Sequence, residues 1–492
     1  MKKPNVLFLM CDQMRFDALR FRGCDEINTP NLDKLAERSV FFENAFTPNP
    51  ICVPARAAIT TGMYPHKCTG HKENRGEIKP EFPLMGQIFK DNGYSTYAFG
   101  KLHYLPYTPP GTPNTTLGFD TVELCEEGRM IAEFDPLDKL GGVEEYHDYL
   151  KTVGWGGYTR GDGMGNNDVF PNVTPIPKEH FIDTWIAERS LLHLDNHLET
   201  KPDKPFFLWT SFVKPHSAYS PPRPYDAMYD PRDMSAPTGS IEDIKERGLM
   251  FMYKNHREFM WDKLSPEALK TIKAHYYALV TLQDEQIGRI IDKLEKHGVL
   301  DDTIIIYTAD HGDMLGDFGL FFKSNFYNAS ARIPFMLSYP KKLPVGVVSD
   351  ALSGLQDVLP TLLTLSDIEF SFNFDGIDLT KAVDNERREE REQFVGQCLM
   401  NEEQTYMLCD KEWKYIYHAL NGVEELYCMK DMKELNNKAV AKPELTTFYR
   451  QALIKWCIDN GDDMIVKNGE LVKYDKDVPI MTMFKGYGRR MY

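Results

Sequence analysis

The chain has 492 residues, 42% of them hydrophobic and 26% charged, which suits a globular protein of about two to four domains and excludes a disordered or fibrous one. A formal net charge of −16 with no dense block of Lys and Arg argues against a nucleic-acid partner, so any anionic ligand would need cations gathered into one pocket. Nothing approaches a membrane span, and nine cysteines without regular spacing and without a C-x-x-C do not read as a disulfide framework.

Met1-Lys2-Lys3-Pro4-Asn5 runs directly into an apolar stretch with no small-residue cleavage site. The expected compartment is therefore cytoplasmic, an exported precursor being the alternative if a leader has been trimmed. Val6 to Met10 predicts a buried parallel strand that ends in the polar Asp12-Gln13. A helix is predicted over Asn31 to Arg38, introduced by Thr29-Pro30.

Cys52-Val53-Pro54-Ala55-Arg56 then opens a small-residue helix, with Pro54 at its first position and Gly62 as its stop. A side chain at a helix start faces unpaired N–H groups and the positive end of the dipole, and Arg56 lies one turn on, so the spot reads as an anion site holding a nucleophile.

Three more strands have the same apolar-then-polar form: Tyr94 to Phe99 before Gly100-Lys101, Pro205 to Phe212 before Lys214-Pro215-His216, and Thr303 to Thr308 before Asp310-His311. A long helix over Pro266 to His297, with Ser265 as cap and Gly298 as stop, precedes the last of these, and a further strand is expected over Phe335 to Tyr339. The fold class expected is α/β, a large and mostly parallel central sheet flanked by helices.

Segments 128–175 and 217–262 are too long for connectors and are expected to shape a substrate pocket. After about residue 375 the pattern changes to short antiparallel strands over Thr405 to Leu408, Trp413 to His418 and Glu424 to Tyr427, with an Asn421-Gly422 turn and a helix over Pro443 to Asn460. Two units are therefore expected, a catalytic α/β domain over 1–375 and a smaller α+β domain over 376–492. The Met- and aromatic-rich tail from Pro479 to Tyr492 is a candidate docking segment, for instance in a homo-oligomer.

In open parallel sheets ligands bind beyond the carboxyl ends of the strands, so Asp12, Lys101, His216, Asp310 and His311 are expected to converge. Two carboxylates and an imidazole suit a hard divalent cation such as calcium, magnesium or manganese. Lys101 and His103, two residues apart, fall on the same side of an extended segment.

These residues also resemble, in order, the landmarks of the type I sulfatases within the alkaline phosphatase superfamily. C-x-P-x-R from Cys52 to Arg56 resembles the signature whose cysteine becomes Cα-formylglycine. Gly100-Lys101-Leu102-His103 is similar to the family's G-K-x-H, Lys214-Pro215-His216 to its histidine element, and Asp310-His311-Gly312 to its second metal pair. Lys323, ahead of Arg332-Ile333-Pro334, is similar to the lysine that grips the sulfate. Gln13 stands where many members have a second aspartate, a variant shared with choline sulfatases and phosphonate monoester hydrolases, and Asn74 resembles a substrate-facing asparagine of that branch.

The resemblance implies a sulfate monoester hydrolase with a small sulfated substrate: a sugar sulfate, an aryl sulfate or choline sulfate. Cys52, Arg56, Lys101, His103, His216 and Lys323 would be catalytic. Asp12, Gln13, position 52, Asp310 and His311 would hold one divalent cation, calcium ahead of manganese or magnesium. A formylglycine-generating maturation enzyme would be a partner. The alternatives are a phosphonate monoester or phosphodiester hydrolase using the same site, and a non-catalytic binding protein with an unmodified Cys52.

Overall fold

The computed structural model describes residues 3–104, 117–137, 139–157, 163–165, 167–383 and 388–475. The tail from Pro479 to Tyr492 and part of the charged link after residue 383 lie outside these. Among the described residues no helix is long and apolar enough to cross a membrane.

Eight strands make the main sheet: β1 Asn5–Asp12, β2 Val40–Phe46, β3 Ser95–Gly100, β4 Thr121–Leu124, β5 Phe206–Pro215, β6 Thr303–Ala309, β7 Phe335–Ser338 and β8 Val347–Gly354. They lie in the order β4-β3-β5-β1-β6-β7-β2-β8. β1 is paired in parallel with both β5 and β6, and every one of its residues is buried, as its unbroken apolar run requires. β3 is parallel to β5 and β4. β7 alone runs against its neighbours β6 and β2, so β2 points the same way as β6.

The carboxyl ends of β1, β2, β3, β5 and β6 thus share one edge. Four of those ends match the sequence reading. The fifth, β2, does not: Glu43 and Asn44 interrupt its apolar pattern where its register against β8 slips, and this hid a strand that leads to Cys52.

The helix Pro266–Lys296 packs across the sheet with its Ser265 cap accepting from Ala268 N–H, next to the helix Ile182–Thr200. Segments 128–175 and 217–262 contain short helices, among them Glu145–Thr152 and Met250–Glu258.

A second sheet, all antiparallel, follows in the order β12-β11-β10-β9, from β9 Phe394–Cys398, β10 Thr405–Cys409, β11 Trp413–His418 and β12 Val423–Cys428. Asn421 and Gly422 both take positive φ in the turn between β11 and β12. The helix Pro443–Asn460 matches the expected bounds and packs on β10 and β11. This small sheet braces the main site: Gln397 N–H donates to the Pro48 carbonyl at 2.9 Å, and Leu399 N–H to that of Lys72 at 3.2 Å. Lys414 donates to the Phe326 carbonyl and the Asn328 side chain, steadying the segment behind Lys323.

The turn after β6 is fixed by a close backbone approach. Gly312 N–H donates to the Ser330 carbonyl at 2.7 Å, and a Cβ on Gly312 would lie 2.0 Å from the Ala329 carbonyl oxygen. Gly312→Ala is expected to destabilise the protein by roughly 1–3 kcal/mol, the usual cost of forced overpacking, measured by urea denaturation. An unchanged midpoint would mean this backbone yields freely.

Candidate active site

The Cys52–Thr61 helix begins two residues earlier than its sequence suggests: Ile51 is its extended N-cap, Cys52 its first residue and Pro54 its third, while Gly62 closes it in the left-handed conformation as expected. Every residue of this helix is buried. Asn74 accepts the Val53 N–H at 3.0 Å, satisfying one of the unpaired donors of the first turn. This is a capping contact at the site, supplied by a loop the helix pattern does not announce.

Asp12, Cys52, Asp310 and His311 bring one donor atom each to within 4.8 Å of one another, all buried. His311 Nε2 is 3.2 Å from Cys52 Sγ, and Nδ1 is 3.0 Å from the Gly312 carbonyl. A proton on Nδ1 bonded to that carbonyl leaves Nε2 free to act as a ligand. Asp310 Oδ1 accepts the N–H groups of Gln13 and His311, each at 3.0 Å. Two carboxylates, an imidazole and position 52 form a donor set that fits a hard divalent cation.

Gln13 is turned elsewhere. Its amide oxygen accepts from Lys323, and its amide nitrogen donates to Asp313 at 2.5 Å. The arrangement makes Gln13 a link between the lysine and a buried carboxylate.

Arg56 does not reach outward to an anion. Its Nε donates to Asp310 at 3.0 Å and a terminal nitrogen to Asp12 at 3.3 Å, while the other terminal nitrogen donates to the Lys101 carbonyl and the Ser211 hydroxyl. Lys101 pairs with Asp12 and lies 3.5 Å from Glu127. Burial opposes the charge of Asp12, but Lys101, Arg56 and Lys323 outweigh it and hold the carboxyl well below its usual range. Burial and Asp12 push the Cys52 thiol up, yet Lys323, His311 and Lys101 bring it below its ordinary value.

Lys323 donates to His216 Nε2 at 3.0 Å, while His216 Nδ1 sits 2.7 Å from the Ser217 carbonyl. His216 is therefore neutral with its proton on Nδ1, consistent with burial, Lys323 and Lys101 depressing its basicity. Burial, Arg129, Lys101 and Arg56 hold His103 well below the ordinary imidazole range.

Several groups near the site carry no motif. Glu127 sits within reach of Lys101, Arg129 at 2.8 Å, Lys214 at 3.6 Å and His216 at 3.9 Å. Lys101, Arg129 and Lys214 hold its carboxyl ionised despite burial. Asp313 accepts from Gln13 and from the Tyr219 hydroxyl, and Ser211 accepts from Arg56. Only the acidic run Glu126-Glu127 beside the predicted pocket segment hinted at any of them.

Behind Glu127, Glu144 accepts the N–H groups of Glu126 and Gly128. Burial, reinforced by the Glu126 carboxyl and opposed by those bonds, raises Glu144 from 4.5 to about 8. The folded protein keeps this proton where the unfolded chain releases it, so the group's contribution to stability falls as pH rises from 4.5 to about 8. Glu144→Gln, which cannot ionise, is expected to gain in Tm relative to the parent between pH 5 and pH 8. An equal Tm difference at both pH values would contradict a protonated Glu144.

The sulfatase family model matches residues 4–368, and the model for the C-terminal part of N-sulphoglucosamine sulphohydrolase matches residues 316–454. An arylsulfatase of Clostridium perfringens is 31% identical over 471 residues, covering 92% of this chain and 94% of its own. A choline-sulfatase of Rhizobium meliloti is 29% identical, covering 94% and 88%. Among solved structures, the phosphonate monoester hydrolase of Agrobacterium radiobacter superposes with a TM-score of 0.76 at 22% identity, covering 96% of this chain and 100% of that one. A protein solved with its substrate D-glucosamine-2-N,6-O-disulfate gives 0.71 at 22%, covering 94% and 99%. These two likenesses speak for the fold.

Proposed function

The chain belongs to the sulfatase family, and we propose that it hydrolyses a sulfate monoester to an alcohol and inorganic sulfate through a formylglycine made from Cys52. The observation that carries this reading is the meeting of Asp12, Cys52, Asp310 and His311 in one buried cluster, ringed by Arg56, Lys101 and Lys323. A formylglycine-generating maturation enzyme would replace the thiol by an aldehyde, whose hydrate offers two hydroxyls. All proposed site residues fall within 1–375, which we take as the catalytic unit, with 376–492 as the smaller one.

Asp12, Asp310, His311 and position 52 would hold one divalent cation, calcium first among the candidates for this oxygen-rich set. Bound there, it would supply Lewis-acid stabilisation of the sulfate oxygens and of the attacking oxygen. Arg56 keeps the two carboxylates in place, and Lys101 and Lys323 offset the negative charge of the ester. One hydroxyl of the hydrate, its proton passing to bulk water, forms a bond to sulfur as the bond from sulfur to the alcohol oxygen breaks. That departing oxygen takes a proton from the Lys323–His216 pair, in which the lysine is the donor. His103, neutral in its buried setting, then accepts the proton of the second hydroxyl, so that the aldehyde re-forms and sulfate leaves.

The substrate would be a small sulfated alcohol, and neither nucleic acid nor membrane enters the scheme. A phosphonate or phosphate diester hydrolase is the second reading, favoured by Gln13 in the position after Asp12. Gly100-Lys101-Leu102-His103 weighs against it, because such hydrolases tend to carry uncharged or aromatic residues in place of this motif.

The mass of the tryptic peptide holding residue 52 is expected to be lower than the thiol form requires, and Cys52→Ala and Cys52→Ser should lose turnover while melting as the parent does. A wholly unmodified thiol in active enzyme would refute the formylglycine. Phenyl sulfate is expected to outpace a phenyl phosphonate monoester by at least about tenfold in kcat/KM, a difference of about 1.4 kcal/mol in transition-state binding. The opposite preference would install the second reading.

A further inference from the structure

Where β3 ends, the chain passes from sheet pairing to side-chain support. The Gly100 carbonyl accepts the Cys125 N–H at 3.0 Å, the Lys101 N–H donates to the Ser211 carbonyl at 3.0 Å, and the Lys101 carbonyl accepts from Arg56. The next two N–H groups have no strand to pair with. Glu126 takes both: its Oε1 accepts from Leu102 at 3.0 Å and from His103 at 2.7 Å. β3 stops at Gly100 and His103 has a φ of 50°, so Lys101 and His103 are not joined by the extended chain that their spacing suggests. A left-handed conformation is uncommon for a residue with a side chain, and here a carboxyl group fastens it from outside.

Glu126 is itself held on both sides. It stands just past β4, the outermost strand of the sheet, whose Leu124 is level with Gly100, and it is 1% exposed. Its own N–H donates to Glu144 at 2.9 Å, and its carbonyl accepts from Arg129 at 3.1 Å. The Gly128 N–H donates to the same Glu144 carboxyl at 3.0 Å, which pins the turn that carries Glu126. The edge of the sheet thus places one oxygen on the loop that aims His103.

We propose that Glu126 is a positioning residue for the second half of the reaction: by fixing the left-handed turn at His103, it holds the imidazole where it takes the proton of the remaining hydroxyl at position 52. This role rests on the formylglycine reading of Cys52. In that step the O–H bond breaks toward His103, its electron pair forms the aldehyde C=O, and the C–O bond to sulfate breaks with its electrons on sulfate. Water then removes the proton from the imidazolium. The earlier transfer of sulfur to position 52 draws on Lys101, His216 and Lys323 instead.

Slow release has a kinetic signature that a loosened fold lacks. Release enters kcat, whereas kcat/KM reports the steps up to the departure of the alcohol. On the modified full-length enzyme with 4-nitrophenyl sulfate, Glu126→Ala is expected to lower kcat and KM alike by about a hundredfold, leaving kcat/KM within about threefold of the parent. A burst of 4-nitrophenol equal to the enzyme concentration should precede the slow phase. Glu126→Gln, which keeps an oxygen within reach of both N–H groups, should bring kcat back to within about threefold of the parent. Should Glu126→Ala not fold, Glu126→Asp takes its place, since its shorter side chain keeps the charge and forfeits the two bonds.

The position of the ring is read separately in unmodified Cys52→Ala protein carrying isotope-labelled histidine. The His103 ring resonance, identified by its loss in His103→Gln, should shift in Glu126→Ala and return in Glu126→Gln. A kcat and kcat/KM that fall together without a burst, or a Glu126→Gln enzyme that recovers nothing, would overturn the role of Glu126 and leave the hydrolase standing. A ring resonance unmoved by Glu126→Ala would overturn it whatever the kinetics. A parent that turns over no sulfate ester would fail the hydrolase reading, and the ring resonance alone would then decide whether Glu126 positions His103.

Discussion

Two carboxylates from different strands, Asp12 at the end of β1 and Asp310 just past β6, lie side by side in the interior with no exposure to solvent. Like charges at that depth repel strongly, and the arrangement holds because Arg56 is wedged between them with a donor on each. Its remaining nitrogen is tied to the Lys101 carbonyl and to Ser211, so one guanidinium fastens β1, β3, β5, β6 and the Cys52 helix together. The planar fork of arginine matters here, since a lysine could satisfy the charge but not four acceptors at once. Lys101 adds a second positive charge on Asp12. Two positive groups thus face two carboxylates, which ties the stability of this edge to residues of the chemistry proposed for it.

What the sequence conveyed follows from where function sits on this fold. Strand ends of a parallel sheet are marked by an apolar run stopping at a polar residue, so Asp12, Lys101, His216 and Asp310-His311 were visible as a set. β2 escaped because its middle is polar, and β8 because its first half faces solvent. Cys52 was legible from its motif, but the strand that delivers it was not. Glu127 illustrates a different limit: its place among Lys101, Arg129, Lys214 and His216 is created by tertiary packing of segments far apart in the chain. Gln13 was legible as a position and illegible as a role, because Lys323 and Asp313 are some three hundred residues away.

The smaller sheet is not an appendage to this arrangement. Its edge strand β9 bonds the loop before Cys52 and the loop that carries Asn74, and β11 steadies the segment behind Lys323 through Lys414. Cys52 and Lys323 are therefore positioned by both sheets, although the proposed catalytic side chains lie along the larger one.

The burial of the Cys52 helix has a consequence in time. All ten of its residues are inside the protein, and Cys52 itself keeps 2% of its surface exposed. Another macromolecule needs an extended, accessible stretch of chain to work on a side chain, and the folded protein offers none at this point. Any enzymatic conversion of Cys52 must then come before this helix docks, while the strands that enclose it are still apart. On the proposed formylglycine reading, folding and maturation become competitors for the same segment.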